Sequence, residues 1–425
     1  MVKPAMNGTI RLSRVAEFFL LGAVFLLPYS YAMKSIIGYP DIKWIDPSLI
    51  CGLVALMAVC LSGRLPFRMA VTVGFGFLFM AWIWVSEFYV ALADGSSVSY
   101  AILREPIRFS LNFLLFLLVR HYARDPLLRE KLVRVLMWTV IIQMCIAIYF
   151  WLAFWFPLPL PETTRFYVRY FAMRQAWWFH GSPLPRLGGT FIEGPPLGQF
   201  AIGCLITFLH LSSRPASSRL KIAGLVASGL IVLGTFSSQV FLGMISWLFG
   251  YLVINIHRRA SRLLLAGFGA ILVLGPLLVW QLASRAVVDQ ERQNVRGATI
   301  HERLWHMEYG WGLVGKDTQT ALIGVGLGRY GEHAATTGIF PPTVVPQVMV
   351  MDILTGTGVI GLLLWLSWIF QIFTTAVRNH GPLGFFLTLT VLISMMFQAN
   401  WNWGIAYVVL GLLVAGPILK EAQAT

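Results

Sequence analysis

The sequence predicts an all-α polytopic membrane protein, and three observations carry that prediction. Hydrophobic residues make up 57% of the 425 residues and charged residues only 12%, with a mean hydropathy of +0.73, whereas an average soluble domain carries roughly 25% charged residues. Apolar runs of about 20 residues, the length that crosses a bilayer, recur from end to end. Basic residues concentrate in alternate linkers between those runs, as the positive-inside bias of membrane helices requires. The runs leave no stretch for a soluble domain, so 1–425 reads as a single membrane-embedded domain.

Taken in order, the predicted spans are 15–33, 48–62, 68–92, 101–121, 132–157, 194–212, 221–235, 237–256, 263–284, 348–374, 383–398 and 402–419, about twelve in all. Lys3, Arg11 and Arg14 precede the first, as in a signal peptide, but the run is long and no A-x-A site follows it, so it reads as a retained span. The division at 221–256 is the weakest, since sixteen residues from Lys221 to Phe236 barely cross and a re-entrant hairpin is the alternative. With both termini inside, eighteen Lys and Arg fall in the inside segments, among them Arg120, Arg124, Arg129, Lys131 and Arg134. Only three, Lys34, Lys43 and Arg104, fall in the short outside linkers.

Apart from Arg108, the remaining basic residues lie in two long outside segments, 158–193 and 285–347. Loops of that length are either functional or disordered. Aromatic residues argue for order: Phe166, Tyr167, Tyr170, Trp177 and Trp178 stand among Arg165, Arg169, Arg174 and Arg186, while the second segment holds Arg285, Arg292, Arg296, Arg303, Lys316 and Arg329.

The net charge of +14 is dispersed between apolar runs rather than gathered in a basic domain, which points to membrane topology and anionic lipid and away from nucleic acid. Cys51, Cys60, Cys145 and Cys204 lie in apolar runs without C-x-x-C spacing and read as small core residues. No metal or cofactor is expected, because no outside cluster of His, Asp and Glu has ligand spacing; Asp289 and Glu291 are the one paired-carboxylate motif there. The run Gly324-Val-Gly-Leu-Gly lacks G-K-[ST] and reads as a tight turn rather than a phosphate loop.

Arginines on the outside defy the positive-inside bias, and their planar fork of donors suits phosphate oxygens. The alternative is that they snorkel to headgroups or pair with Glu162, Asp289, Glu291 and Glu302. Arg108 lies a turn inside the fourth span, where an arginine costs about 2.5–3.5 kcal/mol on insertion scales. It therefore faces a polar cavity or pairs with Glu105.

Three stretches, RLGGTFIEGPPLGQF (186–200), ERLWHMEYGWGLVGKDTQTALIGVGLGRYG (302–331) and MDILTGTGVIGLLLWL (351–366), resemble the O-antigen ligase and Wzy-type polysaccharide polymerase superfamily in type, order and spacing. Arg186, Gly189, Phe191 and Glu193 match its R-x-x-G-x-F-x-E/D segment, Arg303 and Trp305 its Arg-Trp pair, and Leu354, Gly358 and Gly361 its L-x-x-x-G-x-x-G pattern. The sequence departs from the family where Gln347 stands at the position of a histidine, and where Thr235 to Gln239 supplies no Ser-Arg pair.

The resemblance implies a GT-C-like fold and transfer of glycan from an undecaprenyl-pyrophosphate-linked oligosaccharide to a glycan acceptor at the periplasmic face of a bacterial inner membrane, alongside other polysaccharide-assembly membrane proteins. It implies Arg186 and Arg303, with Arg108, Arg169 and Arg329, as pyrophosphate ligands, and Glu193, His333 and the orienting amide of Gln347 as the groups handling the acceptor hydroxyl. A polymerase is favoured over a ligase by the Glu-containing motif. A transporter or flippase for a polyprenyl-linked sugar and a non-catalytic assembly partner are the readings from other classes. Such transporters tend to show internal repeats and charges at the midplane of several spans, whereas the charge here lies mainly in two outside segments.

The predicted layout makes cysteines introduced at Ser284 and Ala335, in a variant whose native cysteines are replaced, reactive to an impermeant thiol reagent added from the periplasm. Protection of both sites would refute it.

Overall fold

The computed structural model describes residues 5–29, 47–62, 71–93, 100–160, 162, 164–165, 177–179, 182–184, 186–191, 194–212, 218–235, 237–256, 305–336, 348–396 and 404–416. The helices, in order, are α1 (Ala5–Leu26), α2 (Pro47–Leu61), α3 (Val71–Ala93), α4 (Tyr100–Tyr122), α5 (Pro126–Trp155) and α6 (Gly194–Ile206), the last ending in a wider π turn over Thr207–Leu211. They continue as α7 (Arg219–Gly234), α8 (Ser238–Ile254), α9 (305–314), α10 (Thr318–Ile323), α11 (Tyr330–Ala335), α12 (Met349–His380), α13 (Pro382–Met396) and α14 (Gly404–Val414). One short hairpin interrupts the helical pattern, with Trp177–Phe179 pairing antiparallel to Ser182–Leu184.

Local chemistry sets several boundaries. Asp125 accepts from the Leu127 amide at 2.8 Å, and Pro126 follows at the first helical position, where no N–H is needed. The core is aromatic. Phe109, Phe113 and Phe116 recur at helical spacing on α4, and their rings pack against Trp368 of α12 at centroid separations of 5.6–6.2 Å. Tyr407 of α14 joins them.

Contacts sort the helix ends into two sets. At one end the Arg129 Nη2 donates to the carbonyls of Leu412 (3.2 Å) and Gly416 (2.6 Å), and Asn379 donates to Leu413 O at 3.1 Å. Lys131 pairs with Glu17 at 2.5 Å, and the Thr72 and Thr375 hydroxyls meet at 3.1 Å. At the other end Thr190 reaches Pro28 O (2.6 Å) and Gln143 Oε1 (2.7 Å), while α3 meets the start of α12. The described linkers that are rich in Lys and Arg therefore share the first end, and the second gathers the described parts of the two long segments.

The 32 residues of α12 would span about 48 Å as one straight helix. They do not run straight. Gly358 has φ 67° and ψ −173°, which ends one helical run and starts another. Carbonyls of the preceding turn lose their helical donors there, and partners arrive from elsewhere in the chain. The Val325 and Gly326 amides donate to Thr355 O (2.8 Å) and Gly356 O (3.1 Å). From α3, Ser86 donates to Gly356 O at 3.2 Å and Trp82 Nε1 to Thr357 O at 2.8 Å.

The chain is thus a multi-pass helical membrane protein. Among the described residues four helices, Leu12–Tyr29, Thr72–Ala93, Pro126–Trp155 and Met349–His380, are long and apolar enough to cross a bilayer by length and composition. Eleven of the twelve predicted segments coincide with a helix, and the twelfth, 263–284, lies outside the described residues. Segment 285–347 was expected to be ordered, and its described part folds into α9, α10 and α11. One expectation is corrected: Cys60 and Cys145 sit on exposed helix faces rather than in the core, because apolar surroundings in a membrane helix occur on the lipid side as well as inside.

A Cβ at residue 358 would collide with the Leu322 carbonyl and would sit on backbone of positive φ. Gly358→Ala should therefore destabilise the detergent-solubilised protein by about 2–5 kcal/mol, read as a large fall in Tm. Gly74→Ala, in α3 with open space around it, should raise stability by about 0.5–1 kcal/mol. Equal shifts for the two would remove the break from the account.

Candidate functional site

Two polar clusters stand at the end of the bundle that carries the long segments. The first is built on α3, where Trp82 and Ser86, one turn apart, partner the break in α12. Ser86 also donates to Ile323 O at 2.7 Å, which fastens the end of α10 beside Gly356. Glu87 comes next along the helix and accepts from Arg329 Nε at 2.9 Å, with the two side chains only 1% and 4% exposed. Removing one partner of such a buried pair typically costs about 3–5 kcal/mol, because a charge is stranded. Glu332 acts electrostatically on Glu87, and Glu105 of α4 packs against Gly328. Arg108, half-buried one turn further along α4, is close enough to Tyr407 to act on its hydroxyl. Carboxylates at 87, 105 and 332 and guanidiniums at 108 and 329 thus share one corner of the molecule.

Beside this corner α9 and α11 form an aromatic wedge. Trp305 stacks on Tyr309 at 4.9 Å, and Tyr309 meets Tyr330 edge-on at 5.7 Å. His306 Nδ1 lies 2.9 Å from the Tyr330 hydroxyl, which donates in turn to His306 O at 3.2 Å. That pairing has the histidine donating through Nδ1. Burial pushes the Tyr330 phenol above its ordinary range, so the hydroxyl stays protonated. Asp317, which caps α10, is held below the usual carboxylate range by the Thr320 amide at 2.7 Å.

The second cluster surrounds Arg186. Leu187 donates its amide to Gly234 O at 3.0 Å, which holds the segment against the end of α7. Thr235 presses on Gly198 of α6, so the α7–α8 turn, the start of α6 and the Arg186 segment meet. Ser237 stands at the N-cap of α8 without capping it, and its Oγ is buried with no partner among the described residues, as is Gln239 Oε1. Gln143 of α5 supports the same segment, its Oε1 accepting from the Thr190 hydroxyl and amide.

Of the residues predicted for function, Arg108, Arg186, Arg329 and His333 are described, and Glu193, Gln347, Arg303 and Arg169 lie outside the described residues. Arg108 and Arg329 are brought into one corner; Arg186 belongs to the other cluster. His333 is half-buried on α11, and its carbonyl accepts from Tyr309 (2.7 Å) and Thr336 (2.6 Å). Glu87 escaped sequence reasoning although a signal was present. It is the single carboxylate of α3, and an ionisable residue inside an apolar span is a functional candidate by default. Among the described residues no group of three or more His, Cys, Asp or Glu gathers to hold a metal.

No protein-family model matches the chain, and no curated protein matches it. The carbonyls of Thr355, Gly356 and Thr357 at the break are engaged by N–H or O–H donors from elsewhere in the chain, unlike the unwound carbonyls with which broken transporter helices coordinate a cation. The Arg186 segment is held at the α7–α8 turn through Leu187 and Gly234, just before α8 begins, and a guanidinium and a helix N-terminus each favour anionic oxygens.

Tyr330→Phe removes the hydroxyl that pairs with His306 and strands buried polar groups on α9, at a cost of about 1–3 kcal/mol. Thermal unfolding in detergent should show this fall, while Tyr309→Phe, whose partner is a part-exposed carbonyl, should lose less. A larger loss at Tyr309 would mean that the wedge is held from the other side.

Proposed function

We propose that the chain is a Wzy-like membrane glycosyltransferase of about twelve spans and GT-C-like architecture. It transfers undecaprenyl-pyrophosphate-linked glycan repeats to an acceptor hydroxyl in exopolysaccharide, capsule or O-antigen assembly. In this reading the end bearing the long segments faces the periplasm of a bacterial inner membrane, and both termini are cytoplasmic.

The observation that carries the proposal is the placement of Arg186. Its neighbour Leu187 is bonded to Gly234, three residues before Ser237, the N-cap of α8, whose hydroxyl has no partner among the described residues. Arginine, helix dipole and a free hydroxyl donor suit the pyrophosphate oxygens, and stabilising their charge is the main demand on such a transfer. Gln239 Oε1, an acceptor, suits a sugar hydroxyl. Arg303, Arg108 and Arg169 join Arg186 as proposed pyrophosphate ligands. Arg329 enters as the partner of Glu87, four residues before the acceptor-handling candidate His333, and Glu193 and Gln347 are proposed for the same role. Ligase activity on the same donor is the nearest alternative, and a transporter is disfavoured because the break in α12 is sealed by the protein itself.

Charge-assisted bonds to phosphate are worth about 1.5–3 kcal/mol each, and a lysine keeps the charge but loses the fork. Arg186→Lys and Arg303→Lys should each lower polymer formation by about tenfold or more at unchanged protein level, and Arg292→Lys should have little effect. Uniform mild losses at all three would show that the arginines only coat the membrane surface. The lipid-linked products of a deletion strain separate the alternatives: single repeats without polymer mean polymerase, and polymer retained on lipid means ligase.

A further inference from the structure

Glu87 and Arg329 are separated by 242 residues and meet inside the protein. Ionised groups so little exposed persist only when each neutralises the other. Arg329 is also the N-cap residue of α11, so whatever fixes its side chain fixes where that helix begins. Between the break in α12 and this arginine the chain has only the residues Val325 to Gly328, tied to α12 by the two amide bonds of Val325 and Gly326.

The backbone is shaped around the pair. Gly326 has φ +92°, and a Cβ there would lie 2.9 Å from Arg329 Cδ and 3.0 Å from Glu87 Oε2. Leu327, 1% exposed, is buried beside the pair. A side chain at 326 would therefore push apart the groups that the turn exists to join.

We propose that Glu87 is a positioning residue for the outer end of the protein: through Arg329 it locks residues 324–329 and the start of α11 onto α3, and so sets where Glu332 and His333 stand. The lock is electrostatic. Two amide bonds tie the turn to α12 and the Tyr330 and His333 contacts tie α11 to α9, but α11 is a helix of six residues and too short to hold its own start unaided, and Arg329 is what joins that start to α3.

Thiol reactivity tests this on the full-length protein in membranes. Ala334 on α11 is fully buried, as is Cys204 on α6 far from the pair. A variant carrying Ala334→Cys with Cys51, Cys60, Cys145 and Cys204 replaced reports on α11, and a companion keeping Cys204 as its one cysteine reports on the bundle. Glu87→Gln keeps the shape of the side chain and removes its charge; Glu87→Asp keeps the charge and shortens the reach. The lock predicts that Glu87→Gln speeds maleimide labelling at residue 334 by at least about tenfold, that Glu87→Asp stays within about threefold of the parent, and that Cys204 stays protected in both.

Unchanged labelling at 334 in Glu87→Gln, or better protection by Gln than by Asp, would overturn the proposal. So would simultaneous exposure of Cys204, because the pair would then support the whole bundle rather than the turn. The claim stands whatever reaction the outer end performs, and polymer output from the same variants reports on that reading separately: α11 released with polymer output intact would remove this corner from the transfer site and leave the lock in place.

Discussion

A backbone carbonyl without a donor costs several kcal/mol in an apolar medium, and the break in α12 creates such carbonyls inside a membrane protein. The rest of the outer end follows from how they are answered. A straight helix needs nothing from its neighbours, but a broken one must recruit, and the recruits here are the two amides at Val325 and Gly326, an indole and a hydroxyl. Those donors must come close, which explains the glycine-rich backbone on one side and the polar residues of α3 on the other. Gly324, whose Cβ would lie 2.6 Å from the backbone of residues 356–358, could be no other residue in that position.

The same economy governs charge. Arginines at the two ends of the bundle do different work because different helix termini meet them. Arg129 sits where the carbonyl end of α14 points, and a cation there complements the dipole and satisfies orphan acceptors. The Arg186 segment is held by Gly234 just before α8 begins, and since a helix start and a guanidinium both present positive potential, the natural third party is an anion. Arg329 meets a carboxylate and is neutralised within the protein. Counting arginines outside the membrane could not separate these three situations.

Much of the helical layout was legible because hydropathy is a local property. Eleven of the predicted segments fell on helices, and 221–256, divided most weakly, holds two short helices, α7 and α8, as either two spans or a re-entrant hairpin would. The candidate site was less legible. Gly324 to Gly328 read as a tight turn, which describes its shape but not its task as a clamp on α12. Glu87 passed unnoticed because its partner lies 242 residues away, although a lone carboxylate in α3 was visible throughout. The α7–α8 turn was noted for lacking an arginine, while its proximity to Arg186 emerged only in three dimensions through Leu187 and Gly234.

Sequence alone determined that this chain enters a membrane as many helices, where most of those helices begin and end, and which linkers share the basic residues. Each of these depends on transfer of nearby side chains between water and lipid, which neighbouring residues decide among themselves. Tertiary structure decided that α12 is broken and resealed, that Glu87 answers Arg329, and that the Arg186 segment is held against the α7–α8 turn. Those are matters of partnership, and a buried donor, acceptor or charge selects its partner by position in space, which spacing along the chain does not encode.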